Sequence, residues 1–332
     1  MSTGEVRLSV LDQAPIGEGH TGADALKASL ELARQADRLG FTRFWTAEHH
    51  HSPGFAGSAP EILAGAVLAA TDRIRVGTGG VLLPRYPSLK VAEVFAVLSS
   101  LHPGRVDMGI GRAGGPSADF PQRLEELRAL LRLPGAATAY PAALSVVPPV
   151  PPELWLLGAS SDSGAAAGRM GVGYAFAHFL VPGPSARALD AYRTEHAAST
   201  GGPGHGGVLA VRAVVADTRA KADELAASVL LWRARKDLGD DRPLPSPQTV
   251  RRHRWSGTQT QRAAHHRQAL LYGTVEDVAP RLRELARANG VREIMVNTLT
   301  HDPADRIRSY QLLAEGFELS TAPVDRAAAS VG

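Results

Sequence analysis

The chain has 332 residues, 44% of them hydrophobic and 21% charged, enough apolar material for a large core. The 36 basic and 33 acidic residues leave a net charge of +3 spread along the chain, with no basic arm of the kind that binds nucleic acid. There is no cysteine, which excludes disulfides, thiolate metal sites and cysteine nucleophiles.

Residues 6–11 (VRLSVL) are short, apolar and rich in β-formers, and they stop at Asp12-Gln13 before a proline- and glycine-containing turn, which predicts a strand. Leu26, Leu30, Ala33, Ala36 and Leu39 then recur at three- and four-residue steps with Gly40 after the last, which predicts an amphipathic helix with a glycine stop. The alternation continues: strand 42–47, helix near 59–71, strand 73–80, helix near 88–101, strand 105–112. After a proline-rich break come strand 153–160, a small-residue helix near 162–171, strand 173–179, a helix near 184–197, strand 208–217, a further helix, and strand 292–302. Eight strands alternating with helices imply parallel pairing through right-handed crossovers and closure into a barrel. The expected fold is therefore a TIM (β/α)8 barrel with insertions, a single domain over 1–320 followed by a flexible tail, 321–332. An open doubly wound sheet would normally carry G-x-G-x-x-G after the first strand, and DQAPIGEG (12–19) does not offer it. Residues 233–272 are polar, arginine- and proline-rich and long for a barrel connection, so they read as a disordered insertion or an active-site lid. Met1 to Arg7 carries no secretion-signal pattern and no 18-residue apolar run occurs, so the expectation is a cytoplasmic protein without a membrane partner.

A barrel places its site at the C-terminal strand ends, where this sequence puts Asp12-Gln13, Glu48-His49-His50, Gly79-Gly80, Arg112, Ser160-Ser161, His178 and His301. Three consecutive histidines raise the possibility of a metal. Adjacent strand residues point to opposite faces, however, and no H-E-x-x-H or comparable set occurs elsewhere. Acid/base or substrate-orienting work by His49 or His50 is the better reading, with His51 as plain loop. The paired glycines in VGTGGVLLP (76–84) allow close approach of a flat ligand, or form a bulge. Arg112 in GIGRAGG and Ser160, Ser161 and Ser163 in GASSDSG read singly as a surface arginine and N-cap serines; on consecutive strands they suggest one bound phosphate.

The ordered segments AEHHHSPG, RIRVGTGGVLLPRYPSLKVAE, LHPGRVDMGIGRAGG, PELWLLGASS and REIMVNTLTHDPADRIRSYQLLAE resemble the bacterial luciferase-like flavin-dependent monooxygenases, specifically the single-component subgroup that resembles the luciferase α chain, from about residue 6 to 318. The resemblance implies a barrel that takes reduced FMN from a separate NAD(P)H-dependent flavin reductase and reacts it with O2 to a C4a-hydroperoxyflavin. That species would epoxidise, hydroxylate or Baeyer-Villiger oxidise a small-molecule substrate, in a homodimer. It implies a catalytic role for His49 with Glu48 and His50 beside it. Thr78, Gly79 and Gly80 match the segment whose non-proline cis peptide lies against the isoalloxazine. Arg112 matches the phosphate-binding arginine, and Ser160, Ser161 and Ser163 match the second phosphate contact. Gly111 stands where true luciferases carry a reactive cysteine, so light emission is not implied, and the segment from Gly115 to Pro152 is short beside relatives. Arginine and alanine dominate over lysine, a GC-rich bias shared with monooxygenases that tailor aromatic polyketides, as in mensacarcin biosynthesis. The alternatives are a deazaflavin F420-dependent hydride-transfer enzyme of the same superfamily, a non-catalytic flavin-binding relative, and a metal hydrolase.

Overall fold

The computed structural model describes residues 6–113, 118–136, 144–202 and 206–319; the expected tail, 321–332, lies outside them, as does part of the short segment from Gly115 to Pro152. In chain order the elements are β1 (Arg7–Asp12), α1 (Gly22–Leu39), β2 (Arg43–Thr46), α2 (Pro60–Ala70), β3 (Arg75–Thr78), β4 (Val81–Leu82), α3 (Ser88–Leu101), β5 (Val106–Gly111), α4 (Phe120–Leu130), β6 (Glu153–Gly158), α5 (Ser161–Arg169) and β7 (Gly173–Ala177). They continue with α6 (Ser185–Thr200), β8 (Val208–Val215), α7 (Arg219–Asp237), α8 (Pro247–Arg252), α9 (Gly257–Arg267), β9 (Leu270–Gly273), α10 (Val275–Asn289), β10 (Glu293–Asn297) and α11 (Pro303–Gly316). Strands β1, β2, β3, β5, β6, β7, β8 and β10 pair in parallel in that order, and β10 closes the ring back onto β1. All eight expected strands are barrel strands. The stretch read as one strand, 73–80, divides into β3 and, beyond Gly79-Gly80, the two-residue β4 on β5.

Local chemistry sets the helix boundaries. Thr21 and Asp24 form a reciprocal capping box at the start of α1, and Gly40, at φ 85°, ends it in the left-handed region open to glycine. Outward strand residues such as Leu8, Val10, Phe44, Val76 and Met108 pack against the helices in the main core. Inward residues form a second, smaller core of Leu11, Trp45, Trp155, Ala175, Ala210 and Met295. That layer plugs the barrel centre, leaving chemistry to the rims.

Below it, on the side where the strands begin, is an ion network that the sequence reading missed. Arg43, buried, bonds Glu293 at 3.0 Å, Asp107 at 2.8 Å and Glu153 at 3.4 Å. Arg75 reaches Asp107 and Glu153, Ser9 donates to Glu293, and the Trp45 indole N–H donates to Asp107 at 2.9 Å. Burial alone would favour neutral Asp107, but Arg43 and Arg75 outweigh it and hold this carboxyl below its ordinary range.

The segment 233–272 is not a disordered insertion. It contains the end of α7, all of α8 and α9 and most of β9, and β9 extends the sheet by pairing Arg212–Val215 of β8 with Leu270–Gly273. Leu244 and Ala263 are buried in a satellite core with Phe55 and Trp232, and the backbone of Leu244 exchanges hydrogen bonds with Ile16 and Glu18 of the β1–α1 loop. Cutting 240–262 down to a linker would remove Leu244 and with it both the bonds to the β1–α1 loop and part of this packing.

Candidate active site

The loop after β2 separates its functional side chains by alternation. Glu48 and His50 turn one way and His49 the other, as neighbouring residues of an extended chain must. Glu48 is buried with both oxygens engaged: Oε1 accepts from His50 Nε2 at 2.5 Å and from the Tyr86 hydroxyl at 2.7 Å, and Oε2 accepts from the Leu82 amide at 2.8 Å. It thereby ties the β2 end to β4, just beyond Gly79-Gly80. A carboxylate so occupied anchors the loop. His51 lies at φ 52° in a turn and is exposed, as expected for plain loop. The three histidines do not converge, and among the described residues no cluster of three or more potential metal ligands occurs.

His49 faces the mouth. Its ring lies 4.4 Å from that of Phe55, and its Nε2 sits 3.2 Å from Gln13 Nε2. Gln13 Oε1 accepts from Arg212 at 3.3 Å, so the Gln13 amide nitrogen must donate to His49, whose proton then resides on Nδ1. That Nδ1 is buried and has no hydrogen-bond partner. Burial, reinforced by the nearby cations Lys236 and Arg212, pushes the His49 pKa down to about 4, so the ring is neutral at pH 7. His49 therefore presents an unpaired N–H donor with no free basic nitrogen.

Gly79 and Gly80 are joined by a cis peptide bond, as the resemblance implies. Both glycines are dictated by close packing. A Cβ on Gly79 would lie 2.7 Å from Leu11 Cδ1, and one on Gly80 would lie 2.6 Å from the Gly109 carbonyl oxygen. Thr78 is buried and donates to that same carbonyl at 2.9 Å, closing β3 onto β5.

Arg112 follows β5, exposed and without an ion pair among the described residues. The neighbouring β6 leads into α5, whose N-terminus Ser160 and Ser163 cap reciprocally; Tyr174 braces Ser163 at 2.9 Å. The serine side chains thus serve the helix terminus, as the N-cap reading expects. Ser161 begins the helix, and Asp162 stands in its first turn. An exposed guanidinium after β5 and a capped helix N-terminus after the neighbouring β6 are groups suited to a phosphate.

His178 and His301 are held away from His49. His178 bonds Ser185 at 3.2 Å, and His301 stacks on His20 and bonds the Glu18 carbonyl. Sequence reasoning missed Arg212, the one charge inside the apolar run VLAVRAVVAD, and Asn297, inside REIMVNTL. Each is a polar interruption of a buried strand, a signal that was available.

The sequence model of the luciferase-like monooxygenases matches residues 6–293. A Bacillus subtilis (strain 168) protein, YwcH, is 39% identical over 331 residues, covering 94% of this chain and 99% of its own. The N-acetyl-S-alkylcysteine monooxygenase of the same organism is 34% identical, covering 93% of this chain and 98% of its own. The solved structure of apo-MsnO8 superposes with a TM-score of 0.84 at 40% identity, covering 96% of this chain and 99% of that one. With the barrel and its mouth laid out as above, matches that run through nearly the whole chain make this protein a member of the luciferase-like monooxygenase family.

Proposed function

We propose that this chain oxygenates a small organic molecule with O2 and reduced FMN, the FMN being reduced by a separate NAD(P)H-dependent flavin reductase in the cytoplasm. The observation that carries the reading is the buried, unpaired Nδ1–H of a neutral His49 at the barrel mouth. Such a donor is costly unless a ligand acceptor meets it. Bound reduced flavin supplies the electrons that activate O2. The backbone of Gly79 and Gly80, packed on Leu11 and the Gly109 carbonyl, forms the seat for a flat ring, Thr78 holds their strand, and Arg112 with the Ser160–Ser163 turn of α5 takes the phosphate. Glu48 and His50 fix the loop that aims His49. The α7–β9 segment, clamped to the β1–α1 loop through Leu244 and stacked beside His49 through Trp232 and Phe55, keeps water from the reacting centre. The substrate class carried over from the resemblance is an aromatic polyketide. The deciding experiment is anaerobic titration with reduced FMN, then with reduced F420, followed by O2. Tight FMNH2 binding with O2 consumption supports the reading, whereas selective F420 binding with hydride transfer replaces it.

Arg112→Ala should weaken FMN binding by about 1.5 kcal/mol, the low end for a charge-assisted contact because the side chain is exposed, while riboflavin affinity stays unchanged. Equal losses for FMN and riboflavin would remove the phosphate assignment.

The homodimer has its own support. Helices α2 and α3 lie side by side, and Ile62 (69% exposed), Val97 and Leu101 (68% exposed) point outward from them. Large exposed apolar side chains on adjacent helices suit a second copy of the chain. Ile62→Glu combined with Leu101→Glu should turn a dimer into a folded monomer in sedimentation equilibrium; an unchanged mass would place the interface elsewhere.

A further inference from the structure

Arg212 projects from β8 into the mouth and is buried, yet what it touches is neutral. Its Nε donates to Asn297 Oδ1 at 3.0 Å and one Nη2 proton goes to Gln13 Oε1 at 3.3 Å, while the guanidinium lies 5.1 Å over the Phe179 ring. A guanidinium has five N–H donors. The other three have no protein partner, and no carboxylate bonds this arginine among the described residues. The nearest charges make matters worse. Burial and then Arg233 push its pKa down to about 9, so it is still a cation at neutral pH, an uncompensated one. Arg233 on α7 is itself answered by Asp237, which also holds His266, so that carboxylate is committed elsewhere. By contrast, Arg43 at the opposite rim of the same barrel is met by three carboxylates. A buried, half-satisfied cation facing a recess is retained at a cost unless an anion meets it there.

The recess has matching walls. Arg212 and Phe179 form one side, and Leu230 and Arg233 of α7, His266 of α9 and Ala269 just before β9 form the other, around a space of about 20 Å³. These elements are distinct from β3, β5 and β6, which carry the proposed flavin contacts. The relay from Arg212 through Gln13 to His49 joins the recess to the proposed reacting centre.

We infer that Arg212 is the anchor of a substrate-carboxylate subsite: the molecule oxygenated by this protein is an organic acid whose carboxylate enters the recess and pairs with the free edge of Arg212. The inference deepens the proposed oxygenase function and rests on it for the word substrate, though the subsite itself can be tested without turnover. The probes are 3-phenylpropionate and its neutral counterpart 3-phenylpropanamide, titrated calorimetrically into the full-length protein with FMN present and absent. The acid should bind about ten-fold or more tightly than the amide, the scale of a charge-assisted contact. Arg212→Gln should bind acid and amide alike while keeping its affinity for reduced FMN. Ala269→Phe, which fills the recess and leaves Arg212 in place, should weaken both probes at least ten-fold, and it serves as the reporter should the Arg212 variant not fold.

Equal binding of acid and amide by the unaltered protein overturns the proposal, as does a surviving preference in Arg212→Gln or unchanged binding in Ala269→Phe. Loss of reduced-FMN affinity in Arg212→Gln with the acid preference intact also overturns it, because the arginine would then serve the anionic edge of the cofactor. If the unaltered protein shows the acid preference but takes no flavin, the subsite stands and the oxygenase reading fails.

Discussion

Replacing His49 by alanine should leave reduced-FMN affinity within about two-fold and lower product formation by about 100-fold, with O2 consumption diverted to free hydrogen peroxide. The sequence admits acid/base or orienting work for this residue; the geometry narrows it. A histidine acting as a base needs a free lone pair near its working pH, but Nε2 of His49 already accepts from Gln13, and a pKa of about 4 leaves the ring neutral. What remains is the proton on the buried, unpartnered Nδ1, which in the proposed function goes to an acceptor on the ligand. The sign of the pH effect follows. Because the folded pKa is depressed, His49 gains its proton only near pH 4, so it contributes no inflection to the rate between pH 6 and 8. Asparagine tests the assignment because its side-chain amide nitrogen occupies nearly the place of Nδ1. His49→Asn should recover a measurable part of the coupling lost in His49→Ala, whereas His49→Gln, which mimics the Nε2 position, should not. Coupling is read as hydrogen peroxide released per O2 consumed. A rate inflection near 6.5 that disappears with His49, and an asparagine variant as uncoupled as alanine, would together restore a proton-transferring histidine.

What could be read from the chain follows the range of the forces involved. The barrel strands announce themselves because each is a local apolar run ended by polar or glycine residues, and eight such runs alternating with helical periodicity leave few topologies. Gly79-Gly80 was legible only as a special point in the strand: the pair read as room for a flat ligand or as a bulge, whereas Leu11 and the Gly109 carbonyl fill the space a side chain would need. The ordered part of 233–272 was not, because α8 and α9 are polar on most faces and gain their place through the few apolar residues Leu244, Ala263 and Leu270, too sparse to form a pattern. The anchoring of Glu48 was legible only in part, since His50 is two residues away but the partners that tie it to β4 and beyond, Leu82 and Tyr86, lie more than thirty residues off. Arg212 looks alone in the sequence because its partners come from β1 and β10, at opposite ends of the chain. The network beneath the barrel is the extreme case. Arg43, Asp107, Glu153 and Glu293 sit at or near the starts of four strands, and each alone reads as a solvated charge flanking a strand; closure of the ring makes them one cluster.

That cluster supplies the largest stability effect expected in the molecule. Arg43→Met keeps much of the apolar stem and removes the charge, stranding Asp107, which is fully buried, with Arg75 as its remaining cation and the Trp45 indole as its other donor. Removing one partner of a buried ion pair costs about 3–5 kcal/mol, mainly because the other charge stays buried and uncompensated. In the unaltered protein the Asp107 carboxyl is held below its ordinary value, so its contribution is present above the unfolded-state pKa and is lost as pH falls. Without Arg43 the burial that opposes ionisation gains the upper hand, the folded-state pKa rises, and the sign reverses: the penalty is present at neutral pH and is relieved as Asp107 takes up a proton. Urea unfolding should therefore show a deficit of about 3–5 kcal/mol at pH 7 that shrinks by at least about 1 kcal/mol at pH 5. Adding Asp107→Asn to Arg43→Met should recover part of the deficit at pH 7 and flatten its pH dependence, because the stranded charge is then gone. A deficit equal at both pH values and untouched by the second substitution would mean that Arg43 acts through packing against Trp155, whose ring lies 4.6 Å beneath its guanidinium, and not through its charge.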